Sequence, residues 1–394
     1  MLAERIAALH QRINYALESL DIPPELQARA TAVYDALGQF VIAHDAAAGR
    51  REPEFYPQGS AALGTATMDK DWDIDAVYER PIARESTTQE RLKDEAGEVL
   101  AAFQTDQRLR RQPVPRIEER NRCWRLIYPG FHIDALPAIP ENLDDEDSTR
   151  LLISDRKPEL SEGHQPASRE WIVTDPQGYI EWFIKCMGRV FEDQRRMLAE
   201  ASLRAMDDVP VWEVKTVLQR AVQFMRRHRD ESYGEQHRDL RPCSMLITTV
   251  AGRAYRGEET IPEALHAIAS AFSDRTIVEM RDGALWVPNP TNKDENLARD
   301  FVGDSRRQAR FNLWVQRFQA HVNGVEIARG VQLDRLLVEA IGERPVKEAA
   351  ERAARSLTKQ RDAGSLRMAS GTGTLGAVGS VAVPRHTFDG RAAK

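Results

Sequence analysis

The chain has 394 residues, 42% of them hydrophobic, and sets 55 Lys and Arg against 61 Asp and Glu for a net charge of −6. That length exceeds what one hydrophobic core usually serves and predicts two lobes, while the acidic balance argues against a protein that grips a long polynucleotide through many phosphate contacts. Three scattered cysteines, Cys123, Cys186 and Cys243, encode neither a disulfide framework nor a zinc site; no apolar run approaches the ~20 residues of a membrane span and no signal pattern opens the chain, so the expected address is the cytoplasm.

In chain order, residues 1–20 are predicted helical, and a second helix starts near Asp21 with Pro23 and Pro24 in its first turn. Residues 1–50 are expected to brace against the C-terminal lobe. From 51 to 170 the pattern predicts an α/β palm, with short strands over 54–56, 74–78, 124–128 and 131–136 and a helix over 87–105; the polar stretch 141–169 is expected to be a loop. Residues 171–368 read as a helical domain, with helices over 178–199, 211–229, 244–255, 261–272, 294–322 and 333–354. In 211–229, Val214, Leu218, Ala221 and Met225 form the expected buried stripe and leave Arg226, Arg227 and Arg229 near the helix end. Residues 369–394, which contain the Gly/Ser-rich run 370–381, are expected to form a flexible tail. The fold class expected is α+β: a mixed sheet with helices, plus an α-helical lobe.

Three fragments of the palm carry chemistry: Gly59-Ser60 inside PQGSAALGTA, the run Asp71-Trp72-Asp73-Ile74-Asp75, and Asp134 inside FHIDALPA. Extended chain places residues i and i+2 on one face roughly 6.5 Å apart, so Asp73 and Asp75 can both lean toward cations set about 3.5–4 Å from each other. Phe131, Ile133 and Ala135 alternate with His132, Asp134 and Leu136, the pattern of a half-buried strand that presents Asp134 to a cleft. Gly59-Ser60, with Gly64-Thr65 behind it, offers backbone N–H groups and small hydroxyls to a triphosphate. A calcium loop counted from Asp71 would need Gly sixth and Glu twelfth; those places hold Ala76 and Ile82. A solvated acidic turn is the ordinary reading of an isolated Asp-x-Asp. The three fragments together favour nucleotidyl transfer at a site holding two Mg²⁺ ions, or Mn²⁺, with Asp73, Asp75 and Asp134 as ligands and Asp71 outside the cage. An RNA- or tRNA-tailing enzyme, a small-molecule nucleotidylating enzyme and an inactive binding module remain alternatives.

The order PQGSAALGTA, DWDIDAVYE, FHIDALPA, TDPQGYIEWF, RRHRD, PCSMLITTVAGRAY, WVPNPTNKDEN and PRHTFDG resembles the bacterial cGAS/DncV-like nucleotidyltransferases, the CD-NTases of anti-phage signalling, within the polymerase-β-like superfamily. The resemblance spans nearly the whole chain. It implies a bilobal enzyme that joins ATP and other nucleoside triphosphates, GTP or pyrimidine NTPs, into a cyclic di- or trinucleotide second messenger. It further implies that the donor phosphates are bound by Gly59 and Ser60, by a basic residue of helix 211–229, here Arg226 or Arg227, and by a serine opening the next helix, Ser244. Ser244 is equally a candidate helix N-cap. Tyr56, Trp72 and Tyr255 are candidate base platforms. The chain lacks an insert of clustered Cys and His such as the animal relatives use to sense DNA, so no nucleic-acid activator is expected. An operon-encoded regulatory protein that grips or modifies the tail is.

Overall fold

The computed structural model describes residues 2–68, 71–145, 147–155, 171–206, 209, 213–368, 375–376 and 380–384. Two helices, α1 (Leu2–Glu18) and α2 (Pro24–Ala47), lead into the palm: β1 (Glu54–Gln58), α3 (Gly59–Ala62), β2 (Trp72–Glu79), α4 (Gln89–Leu109), β3 (Arg116–Glu119), β4 (Trp124–Tyr128), β5 (Phe131–Pro140), β6 (Leu151–Ile153) and β7 (Ile172–Thr174). The strands form one mixed sheet in the order β1-β2-β5-β4-β3, extended from β5 through β6 to β7. Only β2 and β5 run parallel in it.

Alternation along β2 and β5 gives the sheet two different faces. Trp72, Ile74, Ala76 and Tyr78 join Phe131, Ile133 and Ala135 in a core with α2 and α4. The opposite face carries the acidic residues, flanked by a small apolar cluster of Val77, Leu136, Ala138, Leu151 and Ile153. The N-terminal helices do not brace the C-terminal lobe together. Leu9, Ile13 and Leu17 of α1 lie in the helical core, but Ala30, Leu37 and Val41 of α2 lie in the palm core. α2 is pinned there by Asp45, 1% exposed, which accepts from the Tyr78 hydroxyl at 2.7 Å and from Arg50 at 2.9 Å.

The helical lobe comprises α5 (Pro176–Met187), α6 (Arg189–Ser202), α7 (Val217–Tyr233), α8 (Ser244–Ala254), α9 (Ile261–Ala271), the hairpin β8 (Glu279–Arg281) and β9 (Ala284–Trp286), α10 (Ser305–Ile327), α11 (Gly330–Ile341) and α12 (Glu343–Asp362). Two long predicted helices are each a pair. The breaks fall at Gly188 (φ +57°) and Gly342 (φ +90°), where the left-handed backbone suits glycine and ends a helix. α7 begins at Val217, later than its apolar stripe suggests, because Thr216 and Gln219 close a capping box. Likewise α10 begins after Asp304, whose side chain accepts from Arg307 N at 2.9 Å. The strand β6 falls inside the stretch 141–169 expected to be a loop, of which 156–169 lie outside the described residues. Within the expected flexible tail, Leu375–Gly376 (β11) and Val381–Ala382 (β12) pair with Arg367–Met368 (β10); the remainder of 369–394 lies largely outside the described residues. No helix among the described residues is long and apolar enough to cross a membrane.

Candidate active site

The parallel register of β2 and β5 sets Asp73 beside His132 and Asp75 beside Asp134. On the outer sides, β1 places Gln58 opposite Asp75 and β4 places Arg125 opposite Asp134. One ligand atom each from Asp73, His132 and Asp134 lie within 4.8 Å of one another, close enough to share a metal ion. Asp75 stands outside that trio, its Oδ2 turned toward Gly59. A Cβ on Gly59 would come within 2.3 Å of that oxygen, and the residue sits at φ +62°, so both space and backbone demand glycine there. Asp71 occupies the exposed bend before β2.

Burial, followed by repulsion from Asp73 and Asp134, pushes the Asp75 carboxyl up to about 7, against the pull of Arg226 and Arg125. Asp73 is more exposed. Desolvation raises its pKa, but a hydrogen bond from His132 and the charges of Arg125 and Arg226 outweigh it and hold the carboxyl below its ordinary value. Arg125 grips Asp134 with both arms of its fork, Nε to Oδ1 at 2.7 Å and Nη2 to Oδ2 at 2.6 Å, and reaches Asp73 at 3.5 Å. His132 Nε2 contacts Asp73 Oδ1. A donor set of carboxylate oxygens with one imidazole, crowded until the innermost acid resists ionisation, fits a divalent cation. A cation bound at Asp134 would compete with Arg125 for the same oxygens.

The loop behind Gly59-Ser60 is fixed from the helical lobe. Four consecutive carbonyls, of Leu63, Gly64, Thr65 and Ala66, accept in turn from Gln219 Nε2 (3.0 Å), Lys215 Nζ (2.9 Å), Arg226 Nη1 (2.8 Å) and Gln223 Nε2 (2.8 Å). Residues 219, 223 and 226 share one face of α7, and Lys215 precedes it. Gln219 and Gln223 are fully buried, so each bond satisfies groups that water does not reach. Burial draws the Lys215 amine down to about 8 and the Arg226 guanidinium down to about 10.

Of the residues singled out in the sequence, Gly59, Asp73, Asp75, Asp134 and Arg226 meet here, with Ser60 following Gly59 in α3. Arg226 holds the loop and feels the fields of Asp75 and Asp73. Arg227 turns the other way, donating to Ile341 O at 3.0 Å and pairing with Glu231. Ser244 is not the N-cap of α8, a place held by Cys243; its Oγ accepts from Arg229 at 3.1 Å, and no contact among the described residues links it to the three aspartates. Tyr56 shares the acidic face and donates to Glu79 at 3.0 Å. Trp72 lies on the opposite face, and Tyr255 sits in the helical core. Arg125 and His132 are not among the candidate site residues of the sequence. His132 was readable, standing two residues before Asp134 on the same strand face, whereas Arg125 required the β4–β5 register.

No family model matches the chain. It is 26% identical over 380 residues to a c-di-GMP synthase of Roseivirga ehrenbergii, an alignment covering 95% of each chain. It is 26% identical over 348 residues to the cyclic dinucleotide synthase CdnG of Bradyrhizobium diazoefficiens, covering 81% of this chain and 76% of that one. The solved CdnG structure, a CD-NTase in complex with GTP, superposes with a TM-score of 0.67 at 22% identity over 88% of this chain and 99% of its own. Escherichia coli CdnC, solved in complex with a HORMA protein, gives 0.58 at 14% identity over 84% and 96%. The chain therefore has the CD-NTase fold, and along most of its length its sequence is similar to nucleotidyltransferases named as cyclic dinucleotide synthases.

Proposed function

We propose that the protein is a cyclic oligonucleotide synthase that joins nucleoside triphosphates, GTP and ATP foremost, into a cyclic dinucleotide or trinucleotide for anti-phage signalling in the cytoplasm. The observation that carries the reading is the register of β2 against β5, which sets Asp75 beside Asp134 and Asp73 beside His132 next to the Gly59 turn. Relatives named as cyclic dinucleotide synthases over 95% and 81% of this chain favour the two-nucleotide ring. In each transfer, two for a dinucleotide and three for a trinucleotide, a ribose hydroxyl gives up its proton to solvent and attacks the α-phosphorus of a triphosphate; a P–O bond forms, the α–β bridge breaks, and pyrophosphate leaves with the electron pair.

Asp73, Asp134 and Asp75 would hold two Mg²⁺ or Mn²⁺ ions, which when bound acidify the attacking hydroxyl and offset the charge of the leaving group. The protein's own groups do the rest. Gly59 brings backbone within reach of the Asp75 carboxylate, and the N–H groups around Ser60 face the donor phosphates. Arg226, already counter to Asp75 and Asp73, adds positive charge at the developing pyrophosphate. Incubation with the four NTPs and Mg²⁺, then phosphatase and mass spectrometry, should give a phosphatase-resistant cyclic product, which Asp73→Ala with Asp75→Ala removes. A product formed only when RNA or another acceptor is added refutes the reading.

We also propose that the C-terminal tail engages a regulatory protein. The CdnC relative, solved with a HORMA protein, supports a partner of that sort. Deleting residues 370–394 should leave synthesis nearly intact while ending association with such a partner; undiminished binding by the shortened chain rejects the role.

A further inference from the structure

Of the three aspartates only Asp73 is exposed, with 58% of its side chain accessible. An exposed carboxylate turns freely about its side-chain bonds, and fixing it on a metal ion costs entropy. What restrains Asp73 is His132. The imidazole is 14% accessible, and its strand, β5, is hydrogen-bonded on both sides, with Asp73 across from His132 on β2 and Ile127 across from it on β4. His132 Nε2 is buried against Asp73 Oδ1 and meets no other polar partner among the described residues. A carboxylate only accepts, so that nitrogen carries the proton.

The two oxygens of Asp73 are thereby made unequal. Oδ1 takes the His132 N–H, and Arg125 Nη2 stands 3.5 Å from the same atom. Oδ2 has neither a hydrogen bond nor an ion pair among the described residues. A carboxylate with one oxygen held by donors is left to bind a cation through the other alone. That suits Mg²⁺ and Mn²⁺, which take single oxygens in octahedral array, and it handicaps Ca²⁺, which is larger, accepts up to about eight oxygens and often claims both of one carboxylate. Donors that orient a metal-binding carboxylate in this way matter nearly as much as the ligand itself. We propose that His132 is a positioning residue of the metal site: its Nε2–H holds Asp73 by one oxygen so that the other is presented singly, which selects Mg²⁺ or Mn²⁺ over Ca²⁺. The inference rests on the metal site proposed for the three aspartates and on nothing about the product that is made there.

The test is metal binding by the full chain without nucleotide. Electron paramagnetic resonance, in which free Mn²⁺ gives a sharp signal and bound Mn²⁺ a broad one, measures the Mn²⁺ affinity, and displacement of Mn²⁺ measures that of Ca²⁺. His132→Phe, which keeps a ring and removes the donor, should weaken Mn²⁺ about 10-fold and Ca²⁺ less than about 3-fold, so that selectivity falls. His132→Gln, which offers an N–H where Nε2 stands, should keep both within about 2-fold of wild type. His132→Ala removes the same donor without bulk and takes the place of Phe if that ring prevents folding. Unchanged Mn²⁺ affinity in the donor-free variant, equal weakening of both ions, or a Gln variant as weak as Phe overturns the role of His132. A wild type that binds no Mn²⁺ overturns the metal site and this role with it. Mn²⁺ binding with the expected selectivity in a chain that makes no cyclic nucleotide upholds the role and sinks the synthase reading.

Discussion

Asp75→Asn should stabilise the metal-free protein while it destroys activity. In the fold the Asp75 carboxyl is raised from 3.8 to about 7 by burial and by its acidic neighbours, so the native state holds a proton that the unfolded chain has already released. Between pH 3.8 and 7 the folded form binds more protons, and stability falls as pH rises, with the whole penalty present above 7. A displacement of that size corresponds to about 4 kcal/mol; allowing for the solvent that Asp75 still meets, about 2 kcal/mol remains. For a chain of this length such a gain raises Tm by roughly 2–3 °C. Thermal unfolding in EDTA at pH 8 and pH 5.5 measures it, and the advantage of Asn over Asp should shrink by about half at the lower pH. A variant that melts lower than wild type, or whose gain ignores pH, refutes the claim that crowded carboxylates strain the empty cage.

Three further outcomes follow from other contacts. Arg125→Ala frees both oxygens of Asp134, and calorimetric titration without nucleotide should show Mn²⁺ binding tightened about 5-fold, roughly 1 kcal/mol; weaker binding would mean that Arg125 preorganises the cage instead of competing for it. Gln223→Met leaves the Ala66 carbonyl without its donor, which should cost about 1–3 kcal/mol in urea unfolding and raise KM for the triphosphate as the loop loosens, while unaltered KM would separate the loop from substrate binding. His228 is buried between Trp314 Nε1 at 3.0 Å and His321 at 2.9 Å, with its pKa drawn down to about 3 by burial. It folds neutral, so its stabilisation is complete above 6.5 and drains as pH falls, by up to ~1.4 kcal/mol per unit. His228→Gln should flatten the acid limb of the stability profile.

The palm was readable because its signals are local. An alternating strand announces its own faces, which is why Asp134 and His132 could be assigned to one side of β5 from eight letters, and why Trp124–Tyr128 was bounded to the residue. The same locality misled elsewhere. Gly188 and Gly342 interrupt runs that keep helical periodicity straight through them, and only a positive φ turns each into two helices. β6 escaped because three apolar residues in a polar stretch carry no period; Leu151, Leu152 and Ile153 become a strand by pairing with β5 and β7. α2 has the apolar spacing of any surface helix, and nothing in that spacing says which lobe it covers.

Longer reach was needed for what joins the lobes. Lys215, Gln219, Gln223 and Arg226 look like an ordinary polar helix face, and a polar face is normally solvated. Here two of the four are fully buried, because the chain offers them four adjacent carbonyls from a loop some 150 residues earlier. A loop whose four consecutive carbonyls all require outside donors cannot hold its own shape, and a helix with buried amides cannot stay bare. Each segment thus supplies what the other lacks. The consequence reaches the chemistry: the turn that brings Gly59 to Asp75 belongs to the palm by sequence, but its position is set by α7, so any movement of the helical lobe must be felt at the carboxylates.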